Sequence, residues 1–207
     1  MGLAISVGLL CHQARNDMEG CEHYHRTFTR LSQALEYKGI TWHEPEIVDS
    51  PRTRSFSGGF SYEHLTYLRR VFALSRTCSA VTPGRAANEE QYKRDLQVVK
   101  GQTSLFYSHL LLFAGVDGYY IPVNFQEPAI RAGCSVGSSQ RLMAELAIVA
   151  SAIGISLDKE GRLSEDMETR LSSLPPSDPY EPEKFAWYQL HEACLASISI
   201  RYAIVFH

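Results

Sequence analysis

At 207 residues, the chain has room for one domain of generous size, which can bury a core without disulfides or metals to hold it together. Its 44% hydrophobic and 21% charged residues match ordinary globular usage, and no apolar run approaches the roughly 20 residues that span a bilayer. A net charge of −3 and a pI near 6.2 argue against a global attraction to nucleic acid or to an anionic membrane, so neither is an expected partner.

The first segment, MGLAISVGLL, reads as a buried strand over 3–10; it lacks the basic start and small-residue cleavage site of a secretory peptide. A helix follows from the caps Asn16 and Asp17 to about Tyr37, closed by Gly39. Residues 40–43 restart in strand-like residues and stop at Pro45, and 50–59, with Pro51, Arg52, Arg54 and two glycines, reads as a loop. A second helix covers 61–74, with Leu65, Leu68, Val71 and Phe72 three and four apart. The polar span 77–100 is expected to be mobile, and 91–113 to hold one or two helices.

Residues 118–123 read as a strand whose Pro122 points to a sheet edge or a bulge. Gly137-Ser138-Ser139 then starts a helix over 140–153, patterned by Leu142, Met143, Leu146, Val149 and Ile153. Further helices cover 164–171 and 182–197, joined by a proline-rich connector at 173–182, and 202–206 closes as a strand. Helices outnumber strands, which are scattered singly between them. The expected fold is therefore α+β, several helices around a small sheet, as one domain over 1–207.

Charge is unevenly spread. Residues 51–100 carry nine Lys/Arg against four Asp/Glu, a local charge of +5, whereas 157–207 carry five against nine, a local charge of −4. Such polarity suits a protein partner more than a nucleic-acid arm. The five cysteines are widely spaced with no C-x-x-C, which fits a reducing compartment, and the protein is expected to be cytoplasmic.

The stretch CEHYH, residues 21–25, concentrates soft ligands, but on a helix His23 and His25 point to nearly opposite sides. Cys21 and His25 would still need a further protein ligand to hold zinc, and the other histidines stand alone. No metal and no cofactor is expected. P-loop, nucleophile-elbow, kinase, zincin and dinucleotide motifs are missing, and no catalytic residue is assigned. The candidate binding residues are Asp117, Tyr119 and Tyr120, together with Ser138, Ser139 and Arg141 at the start of a helix, where free N–H groups can hold an anion. The plainer alternative is that the serines cap the helix.

The segments MGLAISVGLL, FSYEHLTYLRRVFA, SHLLLFAGVDGYYIPVNF, GSSQRLMAELA and YAIVFH resemble a family of uncharacterised bacterial proteins of about this length. That resemblance implies no activity, cofactor or catalytic residue. The architecture is also similar to that of immunity proteins of bacterial toxin systems. The expected function is a non-catalytic cytosolic binding protein whose partner is another protein, such as a toxin it neutralises. The alternative is a small-molecule-binding protein or enzyme with a polar pocket near Asp117, Tyr119, Tyr120, Ser138 and Ser139.

Overall fold

Alternation puts Leu3, Ile5 and Val7 on one side of the first strand, β1 (Gly2–Val7), and all three are buried. The structure is a computed structural model that describes residues 2–10, 14, 17–45, 55–77, 79–105, 107–111, 118–131 and 134–207, with the main chain alone at 129–131 and 134. β1 pairs antiparallel with the edge strand β2 (Phe56–Ser61) and, on its other side, with β6 (Ile204–Phe206). β6 pairs antiparallel with β3 (Gly118–Ile121), and β3 runs parallel to β5 (Cys134–Ser138). The short β4 (Ala129–Arg131) closes the far edge antiparallel to β5, giving a six-stranded mixed sheet in the order β2-β1-β6-β3-β5-β4. The last strand thus lies inside the sheet.

Each face of the sheet is covered. On one side α1 (Met18–Glu36) lays Phe28, Leu31 and Leu35 over Ile121, Val136, Ala203 and Val205, with Trp42 edge-on to Phe28 at 6.0 Å. On the other, α2 (Tyr62–Arg76), α4 (Ser139–Ala152) and α6 (Glu181–Ile200) pack over Leu3, Ile5, Val7, Tyr120, Ile204 and Phe206. Trp187 of α6 is fully buried and donates from Nε1 to the Leu146 carbonyl at 2.7 Å. Outside this layer, α3 (Glu89–Thr103) packs on α2 and α5 (Glu165–Ser172) on α6. The chain is a single α+β domain.

Capping explains why several helices begin where the sequence places them. Asp17, Ser61 and Ser164 each accept from the amide three residues on, at 3.0, 3.2 and 3.3 Å. Other expectations are corrected. Residues 40–43 pair with no strand among those described, because Trp42 turns into the core against α1 instead. Part of the expected loop at 50–59 is strand β2, where Gly59 lets the backbone lie close against Leu3. β3 is interior and stops at Ile121, so Pro122 ends a strand where the ladder no longer needs its N–H. Gly137 and Ser138 belong to β5, which hands over directly to α4. Arg52, Arg54, Cys11, His12 and Cys78 lie outside the described residues.

Within 77–100, a 3-10 turn at Gly84–Ala86 precedes α3. That turn is tied down by buried charge. Arg70, fully buried, donates from Nε to Asp95 at 2.7 Å and from its terminal nitrogens to the Thr82 carbonyl and hydroxyl at 2.6 and 2.9 Å. Asp95 accepts a further bond from Gln91 at 2.7 Å. Glu183 of α6, also fully buried, accepts from the Gly84 amide at 2.7 Å. A side chain at Gly84 would collide with the ring of Tyr67.

Two outcomes follow from this packing. Leu146→Ala, emptying a site that is fully buried, should cost about 2–5 kcal/mol in urea unfolding; a loss near zero would place that helix outside the core. Asp95→Ala leaves Arg70 buried without its counter-charge and should cost about 3–5 kcal/mol. It should also speed protease cleavage between α2 and α3, and unchanged cleavage would contradict the clamp.

Candidate functional site

The structure separates the residues singled out from the sequence. Asp117 lies outside the described residues. Tyr119 and Tyr120 alternate on β3, so they face opposite sides of the sheet. Tyr119 meets Phe28 of α1 edge-on at 5.9 Å, while Tyr120 is 1% exposed, lies beside Phe206 and donates its hydroxyl to the His109 carbonyl at 2.7 Å. Burial holds the Tyr120 phenol well above its ordinary pKa. Gly137 is required beside it, since a Cβ there would strike the Tyr120 ring.

Ser138 and Ser139 are both fully buried. Ser138 caps α4, its hydroxyl accepting from the Arg141 amide at 3.2 Å, and its own amide donates to His109 Nδ1 at 2.9 Å. Ser139 bonds to the Ser197 hydroxyl at 2.8 Å, and Ser197 donates to the Tyr202 carbonyl at 2.7 Å. Of the six, Arg141 is exposed, at a cleft of about 300 Å³ lined also by Tyr107, His109, Gln126, Glu145 and Ile148.

Two residues around that cleft carry more structural weight than the sequence suggests. His109 accepts at Nδ1, so its proton sits on Nε2, 3.3 Å from the Gln126 carbonyl. Burial lowers its pKa to about 4, which keeps the ring neutral. Glu145 accepts from the His109 and Leu110 amides at 3.0 and 2.6 Å and from the Ser108 hydroxyl at 3.0 Å. Burial raises its pKa, with those donors pulling the other way. These groups hold residues 108–110 against α4 by satisfying one another. Isolated in the sequence, His109 gave no motif to find it by; the only hint was its place before an apolar run.

Glu44 is another carboxyl held largely out of water. Its Oε2 accepts from the Ala203 amide at 2.8 Å, and burial pushes its pKa from 4.5 up to about 8. The native state therefore binds a proton at Glu44 that the unfolded chain releases, so the contribution of Glu44 to stability falls as pH rises from about 4.5 toward about 8. His109 contributes with the opposite sign below about pH 6.5, so the test is a difference: the gap in melting temperature between wild type and Glu44→Gln should change in favour of the variant as pH rises from 5 to 8, and a gap independent of pH would contradict it.

The exposed charge lies elsewhere. Asp158, Glu160, Glu165, Asp166 and Glu168 are all exposed, in the turn before α5 and in its first turn. Asp158 accepts from the Glu160 and Arg162 amides at 2.9 and 2.8 Å, and the Arg162 amide holds its carboxyl below the usual range, so it stays ionised. Arg162 lies 3.3 Å from Asp158 and 3.5 Å from Glu160, and Arg170 lies 3.9 Å from Asp166. Glu165 and Glu168 have no ion-pair partner among the described residues. No helix of the described residues is long and apolar enough to cross a membrane.

No curated protein and no solved structure matches the chain. A family model does, over residues 1–206, under the description "Putative DNA-mimic protein". A DNA mimic acts by offering DNA-binding proteins a substitute for the duplex. That match overturns the expected toxin partner and immunity role, and with them the alternative of an enzyme with a polar pocket near Asp117, Tyr119, Tyr120, Ser138 and Ser139. In place of a toxin, it points to a DNA-binding protein as the partner. Over essentially its whole length, the chain belongs to the family that carries this description.

Proposed function

We propose that this protein binds a DNA-binding protein through the exposed carboxylates of 158–168, which stand in for phosphates. The observation that carries the reading is the placement of three carboxylates, Glu165, Asp166 and Glu168, in the first turn of an exposed helix. Three residue steps of a helix rise about 4.5 Å. Duplex DNA carries one charge per roughly 1.7 Å of axis, so the local linear charge density is comparable. With a net charge of only −3, the mimicry is confined to one face and leaves the rest of the surface mixed.

The acids sit where they cost the fold little. They are solvated, they lie at the helix end whose dipole favours negative charge, and the pairing arginines at 162 and 170 are themselves exposed. A partner with a basic groove would be steered to this face over several ångströms and released by salt. We place the protein in the cytoplasm with its partner, in keeping with the free thiols of Cys21 and Cys194.

Reversing charge at Glu165, Asp166 and Glu168 together to Lys tests the reading. Wild-type protein immobilised in a lysate of the native host should retain DNA-binding proteins. The triple variant should recover roughly tenfold less of them, about 1.4 kcal/mol, while still melting cooperatively, at a temperature lowered only by the lost favourable charge at the helix end. Equal recovery by the variant, or a partner set without DNA-binding proteins, would overturn it.

A further inference from the structure

The exposed face of α4 is unlike those of the helices around it. α1, α3 and α5 turn charge to water, at Glu22, Arg26 and Arg30, at Lys93 and Arg94, and at Glu165, Asp166 and Glu168. α4 shows Gln140, Ala144, Ala147, Ile148 and Ser151, with Arg141 its one exposed charge. Spaced three and four apart, these positions form a single stripe along the helix. Ile148 is 42% exposed, and Tyr107, 61% exposed, stands with it at the cleft of about 300 Å³ that Arg141 also lines. An exposed patch free of acids and lysines that holds Tyr and Arg has the composition of the centre of a protein interface. Charge along α4 also runs against its own dipole. The helix has no acid in its first turn and no base in its last, while Arg141 lies in the first turn, where a cation is disfavoured. Among the described residues, the Arg141 guanidinium has no ion-pair or hydrogen-bond partner to compensate.

We infer that this face of α4 packs on the same face of a second copy of the chain, the two helices antiparallel about a two-fold axis between Ala144 and Ile148. In that alignment Ala144 lies opposite Ile148 of the other copy, and Arg141 reaches the level of its Ser151. Charge complementarity selects this occupant. A cation disfavoured at the start of its own helix meets the negative end of the other dipole, and the symmetry makes that contact twice. A parallel pair would instead bring the two arginines together. Side-chain size permits the approach, since alanines at 144 and 147 let two helix axes come within about 8–10 Å. A basic DNA-reading surface is repelled by Arg141, so the partner proposed for α5 is not the occupant here. Because a two-fold pairing closes on itself, assembly stops at two copies. The inference does not draw on the proposed function.

Sedimentation of the purified full chain over a concentration series tests the pairing. Wild type should pass reversibly from monomer to a species of twice the 23.3 kDa chain mass, with no larger assembly. Ile148→Arg, which sets a second base beside Arg141 of the other copy, should raise the dimer Kd by roughly tenfold or more. Arg141→Glu should do the same, and Arg141→Glu with Ser151→Arg should restore the wild-type Kd to within about threefold. These last two substitutions put an acid in the first turn and a base in the last, where each suits the helix dipole, so cooperative melting of the monomer is expected throughout. A wild type that stays monomeric up to about 100 μM overturns the inference, as does a dimer that Ile148→Arg leaves intact. A dimer weakened by Arg141→Glu and not restored by the second substitution overturns the antiparallel alignment. No DNA-binding protein enters the assay, so its failure is separable from failure of the charge-reversal test on α5.

Discussion

The C-terminal strand is the constraint on which the rest depends. β6 lies between β1 and β3, so β1 and the residue that follows β6 are bonded, Ala4 and His207 exchanging backbone hydrogen bonds at 2.9 and 3.0 Å. Without it, the β1–β2 ribbon and the β3–β5–β4 group would be separate, small sheets. Its alternation divides the cores: Ile204 and Phe206 face α2, α4 and α6, while Ala203 and Val205 face α1. The turn into it is fixed by Arg201 in the left-handed region, with φ of 65°, and by the Ser139–Ser197–Tyr202 chain of hydrogen bonds.

Burial then decides which charges remain for a partner. Arg70, Asp95, Glu183 and Glu145 are spent inside the fold, each on backbone amides, carbonyls or an opposite charge. The carboxylates of α5 are left in water, held by a helix that packs against α6 and so against the core. Rigid placement matters for mimicry, since carboxylates ordered before encounter lose less entropy on binding. The fold therefore separates two kinds of acid: buried acids lock segments together, and exposed acids remain free for the proposed partner.

Helical stripes were legible in the sequence because burial imposes a period that survives side-chain detail. Phe28, Leu31 and Leu35, or Leu142, Leu146 and Val149, announce both the helix and its buried face. CEHYH is part of such a helix, and its spacing said so. β2 was hidden because FSGGFS lacks branched residues, its pairing being set by close approach to β1. The Arg70 clamp was hidden because an arginine on an amphipathic helix reads as solvated, and its partner Asp95 comes from a different helix. Tyr120 and Ser138 lie on the adjacent strands β3 and β5 and Ser139 opens α4, but their side chains bond inward. The local charge of −4 over 157–207 was visible from composition, whereas its meaning needed the family.

Mimicry makes one demand that other kinds of protein binding do not: the partner cannot hold this protein and a DNA duplex together. The direct measurement is sedimentation of three components, a retained DNA-binding protein, its fluorescently labelled duplex and this chain at rising concentration. The labelled duplex should leave the complex in step with binding of this chain, and no species should contain all three. A stable ternary complex that keeps the duplex bound would contradict it.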